Sequence, residues 1–301
     1  MNFGNIFSKK SFFSHLLIAF IVTALVLAAA PVSPAFAAVS QPSAWTSQYA
    51  NAAYPAGAVN SNFTVTAGAN RLLVVAIAST RTTVGSQTIS VTYGGQPLTL
   101  AAGDGASTTT WNHSYLYYLK ESGIQAASST SLDVIISGGA SYYNWVYTAV
   151  FTNVDQTTPF TSARNYNSGT ANTTVGPFSP TLTIATNDQA IEIVNLASST
   201  TGTSARRIRT WATGWTTAGV DQNIVTSGPT ARLYIRNRNI LTAANDGSQH
   251  TANNTATWDS MTAMSIKSAV TNVGDGSNPT DKSVAAGSAG INQCPPGGDA
   301  T

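Results

Sequence analysis

The chain has 301 residues, 43% of them apolar and only 9% charged, against roughly 25% charged in an average soluble protein. With 6 Trp, 11 Tyr and 10 Phe it is too aromatic and too weakly charged for a disordered chain, and it is long enough for one large β domain or two small ones. A single cysteine, Cys294, excludes an intrachain disulfide, so the fold must rest on its hydrophobic core.

Residues 1–37 read as a signal peptide. Lys9 and Lys10 form a short positive region, Phe12 to Ala30 is nearly all apolar, and Pro31 and Pro34 end the run. Ala35-Phe36-Ala37 offers the small residues a signal peptidase needs, so cleavage is expected after Ala37. An uncleaved anchor is the alternative, because the apolar run approaches spanning length. Cleavage removes two of the 14 basic residues and none of the 12 acids, the first of which is Asp104. The mature chain is therefore neutral, which argues against a nucleic-acid partner. No cysteine sits directly after the cleavage site, which argues against a lipid anchor. The expected location is outside the cell or on its surface, with the periplasm as the alternative. A disulfide-free exported domain is ordinary among bacterial envelope proteins.

Residues 38–61 are small and polar, with Trp45, Tyr49 and Tyr54 as isolated anchors, and read as a lead-in. From Asn62 a β domain is expected up to residue 270. Phe63 and Val65 alternate, and Asn70 to Ser79 is a continuous apolar run of strand length, consistent with burial on both faces. Ile89, Val91 and Tyr93 alternate into Gly94-Gly95, a hairpin signal. Trp111 to Leu119 is an aromatic strand, and Leu132, Val134 and Ile136 alternate before Gly138-Gly139.

Tyr142 to Phe151 is the densest aromatic and β-branched run, and it predicts a central core strand. It ends in a turn at Val154 to Pro159, where Asp155 and Thr157 can bond local backbone amides. Further strands are expected in Leu182 to Leu196, Arg206 to Trp215, Val220 to Thr226, Ala231 to Leu241 and Thr255 to Lys267. About a dozen short strands, no convincing amphipathic helix and no propeller or solenoid period point to an all-β fold, an antiparallel β-sandwich of jelly-roll kind. Residues 271–301 have the Gly, Ser and Pro content of a tail or linker.

Four segments together carry a resemblance: Arg71 to Val75, Val91 to Thr99 (VTYGGQPLT), Tyr118 to Glu121, and Phe151 to Pro159 (FTNVDQTTP). Arg232 to Arg236 and Trp258 to Lys267 extend it. Over roughly Asn62 to Ala269 the chain resembles a β-sandwich module of bacterial exported and cell-surface proteins that carry several β domains in series. The resemblance implies a sandwich fold and no catalytic residues.

Catalytic and metal chemistry find little purchase. The mature chain holds two histidines, His113 and His250, and two glutamates, Glu121 and Glu192. It lacks a Gly-x-Ser-x-Gly elbow, and Glu192, alternating with Ile191 and Ile193, reads as a solvent-facing strand residue rather than half of a glycosidase pair. No ligand cluster suited to zinc occurs. Calcium is the one cofactor with any purchase, at Asp104-Gly105, Asn245-Asp246-Gly247 and Asp275-Gly276-Ser277, though such dipeptides are first of all turns. The sequons at Asn62, Asn112 and Asn172 are expected by chance in so Asn- and Thr-rich a chain.

Arginine is the uneven feature. Arg206, Arg207, Arg209, Arg232, Arg236 and Arg238 fall within one short stretch, with Asp221 the only acid among them. Arg232, Tyr234, Arg236 and Arg238 share one strand face opposite Leu233 and Ile235, and Arg207, Arg209 and Trp211 share another. Were these strands a meander with Val220 to Thr226 in the middle, the faces would form a basic-aromatic platform. Arg207, Arg209, Trp211, Arg232, Tyr234, Arg236 and Arg238 would then bind an acidic glycan or other anionic surface polymer. The plainer reading is a solvated sheet face on which Arg stems cover apolar neighbours. The sequence thus points to an exported, non-enzymatic module for extracellular binding, adhesion or spacing. A polysaccharide-acting enzyme, and the N-terminal module of a longer surface protein, are the alternatives.

Overall fold

The structure is a computed structural model that describes residues 35–54, 57–81, 87–103, 112–138, 141–168, 172–198, 208–210, 214–215, 219–224, 230–239, 244–246, 250–256 and 258–271. The expected signal peptide, up to residue 34, and nearly all of the expected tail lie outside these residues. Among the described residues no helix is long and apolar enough to cross a membrane. Phe36–Val270 form one compact unit.

That unit is nearly all antiparallel β. In chain order the first part runs β1 (Ala35–Phe36), β2 (Thr46–Tyr54), β3 (Gly57–Asn62), β4 (Leu72–Arg81), β5 (Thr88–Tyr93), β6 (Gln96–Pro97), β7 (Thr99–Gly103), β8 (Asn112–Lys120), helix α1 (Glu121–Ala126), β9 (Ser131–Ser137) and β10 (Ser141–Phe151). The second part runs β11 (Phe160–Ser168), β12 (Asn172–Val175), β13 (Leu182–Ile184), β14 (Gln189–Ser198), β15 (Ile208–Thr210), β16 (Gly219–Ile224), β17 (Thr230–Asn239), β18 (Ala244–Asp246), β19 (His250–Ala256), β20 (Trp258–Ile266) and β21 (Val270–Thr271).

The two parts repeat one topology. In the first, an inner sheet has the order β2-β10-β4-β8-β7 and an outer sheet the order β3-β9-β5-β6. In the second, the inner sheet reads β11-β20-β14-β17-β16 and the outer sheet β12-β19-β15, with β13-β18 as a separate pair. Taken strand for strand, β2 to β5 and β7 to β10 correspond to β11, β12, β14 to β17, β19 and β20, in the same chain order and the same sheet order. The central strands β4 and β14 are each ten residues long. Each follows an asparagine held at positive φ, Asn70 at 50° and Asn187 at 67°, a conformation that asparagine tolerates better than most residues. Two chain segments complete the correspondence: the Val154 amide donates to the Asn70 carbonyl, and the Val39 amide donates to the Asn187 carbonyl, each at 3.0 Å.

Side-chain alternation explains how the sheets stack. Leu72, Val74, Ala76 and Ala78 of β4 face one way, into a cluster with Tyr143, Trp145, Phe151, Ile191, Ile193, Leu233, Ile235, Met264 and Ile266. This cluster joins the two inner sheets. Leu73, Val75 and Ile77 face the other way, against Val91, Tyr117, Leu132, Val134 and Ile136 beneath the first outer sheet. In the second part Ala190, Val194, Leu196 and Tyr234 likewise face Val175, Phe178, Leu182 and Ile184. The expectation that Asn70 to Ser79 is buried on both faces matches β4, every residue of which is buried. The expected central strand is β10, flanked by β2 and β4, with Trp145 and Phe151 fully buried.

Three features differ from the sequence reading. Residues 46–54 and 57–61, taken as lead-in, lie in strands of the first inner and outer sheets; their small polar residues hide the alternation. A helix is present, but α1 has six residues and buries only Ile124, too little for a periodic signal. The expected meander does not form: β16 pairs with β17, while β15 belongs to the second outer sheet and pairs with β19. A face pattern gives the side on which a residue lies, not the sheet its strand joins.

Candidate functional site

Alternation along β17 holds. Leu233 and Ile235 enter the core between the inner sheets, and Tyr234 lies on the opposite face. That face looks towards the second outer sheet, so Tyr234 is 3% exposed and Arg236 5%. The Arg232 guanidinium donates to both Asp221 carboxylate oxygens, at 2.8 and 2.7 Å. It also lies 5.1 Å from the Tyr234 ring centroid, with the Arg236 guanidinium at 5.2 Å, within cation–π range. Burial works against charge on Arg232, but Asp221 outweighs it and its pKa is raised. For Arg236 burial prevails over the pull of Asp221, Tyr234 and Glu192, and its pKa is lowered. Arg238 lies across Gly214, where φ is +91° and an added Cβ would come within 2.7 Å of the Arg238 Nε. Arg207 and Trp211 are outside the described residues, and Arg209 is described only as backbone in β15.

Behind β17 is a pair of ionisable side chains that sequence reasoning placed differently. Glu192 does alternate with Ile191 and Ile193, yet its face is covered and it is fully buried, not solvent-facing. Its Oε1 lies 2.8 Å from Nε2 of His250, also fully buried. Glu192 and Arg236 are directly opposite in the β14–β17 register. The corresponding positions of the first part's inner sheet carry Val75 in β4 and Tyr117 in β8. The topology therefore folds without charge at this place, where burying ions is costly. An imidazole beside a carboxylate is an acid–base pair, but sealed at this depth it has no contact with solvent.

The remaining candidates serve structure. Glu121 accepts from the Arg71 amide at 2.7 Å and from its guanidinium, and the Glu121 amide donates to Gln156 Oε1 at 2.9 Å. Gln156 Nε2 donates back to the Arg71 carbonyl at 3.1 Å. Three segments singled out in the sequence, Arg71 to Val75, Tyr118 to Glu121 and Phe151 to Pro159, thus meet at Arg71, Glu121 and Gln156. Val91 to Thr99 forms the β5–β6 turn, where Gly94, at φ +53°, approaches the Ser129 carbonyl so closely that a Cβ would sit 2.5 Å from it. Asp155 accepts the Thr157 and Thr158 amides at 2.8 and 3.1 Å, as the turn chemistry predicts. His113 is fully buried and stacks on Tyr115 with centroids 6.2 Å apart.

Of the oxygen-rich loops, Asp104-Gly105 and Asp275-Gly276-Ser277 lie outside the described residues. Asn245 and Asp246 are described as backbone of β18. Among the described residues no three His, Cys, Asp or Glu side chains gather as a metal site.

One concavity opens to solvent beside β16 and β17. It has a volume of about 290 Å³ and is lined by Gln41, Pro42, Ser43, Trp45, Val220 and Asn237 among others. Trp45 Nε1 donates to Asn237 Oδ1 at 3.3 Å, and Asn237 Nδ2 donates to Gln41 Oε1. The indole packs edge-on against Phe151 at 6.2 Å, so its inner edge seals the core between the inner sheets. The sequence marked Trp45 only as an isolated anchor. A tryptophan in a small, polar stretch was the available signal, but its partner Asn237 is distant in sequence. No family model, curated protein or solved structure matches the chain.

Proposed function

We propose that this protein is an exported, non-enzymatic module for extracellular binding, adhesion or spacing, built from two β-sandwiches of one topology that share a core between their inner sheets. The observation that carries the reading is the burial of the Glu192–His250 pair. It is the one close carboxylate–imidazole approach among the described residues, and both side chains are fully buried. A buried pair of this kind contributes to folding and specificity rather than to turnover of a polymer that must reach it. The segment before Ala38 supports export, and the neutral mature chain fits a partner that is neither a nucleic acid nor a membrane.

The described arginines bear on the ligand. Arg232 is held by Asp221, Arg236 is buried, and Arg238 lies over Gly214. Their forks are engaged within the fold, which moves the expected ligand from an acidic towards an uncharged polymer.

The test is to incubate the mature chain with a panel of soluble polysaccharides and to measure both retention and newly formed reducing ends. The reading expects retention with no product. Release of reducing ends that is lost in Glu192→Gln would overturn it in favour of a polysaccharide-acting enzyme.

A further inference from the structure

We infer that the Trp45 cleft is a binding site for an uncharged sugar, a pyranose unit of a neutral glycan. This rests on the reading of the protein as an extracellular binding module and gives that module a site and a ligand class.

The first support is an internal comparison. Trp45 follows Val39 at the same remove along the chain as Phe160 follows Val154, and Val39 and Val154 make equivalent hydrogen bonds to the Asn187 and Asn70 carbonyls. Asn237 pairs with Ile191 in the second inner sheet as Tyr118 pairs with Val74 in the first. Trp45 with Asn237 is therefore the counterpart of Phe160 with Tyr118. At the Phe160–Tyr118 corner the two rings meet edge to face at 4.7 Å and fill the place with hydrocarbon. At the Trp45 corner an asparagine stands where the tyrosine would be, and a cleft remains. One of two equivalent corners is closed and the other is left open beside an indole.

The second support is the chemistry of the lining. Among the described residues none that lines the cleft is charged. Pro42, Val220 and the indole of Trp45 supply apolar surface. Gln41 and Asn237 supply amides that both donate and accept, and Ser43 a hydroxyl. A pyranose has a C–H face that lies flat on an aromatic ring and hydroxyls that both donate and accept, which is what such a mixture matches. A volume of about 290 Å³ is near the lower bound for small-ligand sites and suits one or two sugar rings. The Trp45–Asn237–Gln41 hydrogen-bond chain holds these groups in place before a ligand arrives, which lowers the entropy cost of binding.

The experiment is isothermal titration of the mature full-length chain with cellohexaose, mannohexaose and chitohexaose, and with hexagalacturonate as the anionic counterpart. At least one neutral hexasaccharide is expected to bind. Its affinity should fall about tenfold or more in Asn237→Tyr, which copies the closed corner, and in Gln41→Ala. Arg238→Ser should bind as the wild type does. Circular dichroism and the melting temperature establish that Asn237→Tyr folds. If that variant fails to fold, Gln41→Ala alone decides. Unchanged affinity in the folded variants, or no binding of any neutral hexasaccharide, would overturn the site. Binding of hexagalacturonate alone, lost in Arg238→Ser, would also overturn it while leaving the module reading intact.

Discussion

Glu192 and His250 approach to 2.8 Å with both side chains fully buried, and the first part of the chain shows what the same place looks like without them. Val75 and Tyr117 stand there instead of Glu192 and Arg236. Removing one member of a buried ionic group leaves the others without compensation and costs ~3–5 kcal/mol. Glu192→Val alone, or His250→Ser alone, should therefore lower the denaturant midpoint strongly. The triple variant Glu192→Val, Arg236→Tyr, His250→Ser should recover most of the loss, because it leaves no ionisable side chain there and installs the Val75–Tyr117 pair that the first part already uses. Urea titration of the four proteins checks this; a triple variant no better than the singles would show that the two parts are not interchangeable there.

The acid limb of stability should depend on Glu121 and Asp155. Burial works against charge on each, but the Arg71 hydrogen bonds outweigh it for Glu121, and Lys267 with the Thr158 and Thr157 amides outweighs it for Asp155. Both pKa values are lowered in the folded state. A group lowered in this way contributes stability that is present above its ordinary value, 4.5 for Glu121 and 3.8 for Asp155. The contribution is lost as pH falls through the lower folded value. The melting temperature should therefore drop from about pH 5 downwards. In Glu121→Gln with Asp155→Asn the curve should start lower at pH 7 and fall less steeply. An acid limb unchanged by both substitutions would assign it elsewhere.

Trp145 is the largest fully buried side chain in the core between the inner sheets. Trp145→Ala should cost ~3–5 kcal/mol. Ile135 offers the contrast, since it is 49% exposed on the outer face of the first outer sheet. Ile135→Ser should stay within ~0.5 kcal/mol of the parent. Thermal denaturation of both variants measures the difference. Comparable losses would mean that the outer face is covered.

Much of the β architecture was legible in the sequence, because burial on both faces writes itself as an unbroken apolar run. Leu72 to Ala78 is such a run, and β10 is legible from its aromatic density. The repetition was not legible, for the same physical reason. Its second central strand, Gln189 to Ser198, interrupts the run with Glu192 and Asn195, both fully buried, so that two strands with one role share little pattern. Alternation along Arg232 to Arg238 was read correctly as a two-faced strand, but a two-faced pattern does not reveal that the polar face is also covered. Covering depends on a later strand, β19, whose own residues look like loop. The cleft joins Gln41 and Trp45 to Asn237, and only the tertiary fold brings them together.

The central structural claim is that both parts form one body through the core between their inner sheets. Differential scanning calorimetry of the mature chain tests it most directly. One transition is expected, with the calorimetric enthalpy equal to the van't Hoff enthalpy, and Trp145→Ala should shift that whole transition without splitting it. Two resolved transitions, or a calorimetric enthalpy about twice the van't Hoff value, would contradict a shared core and leave two domains that merely touch.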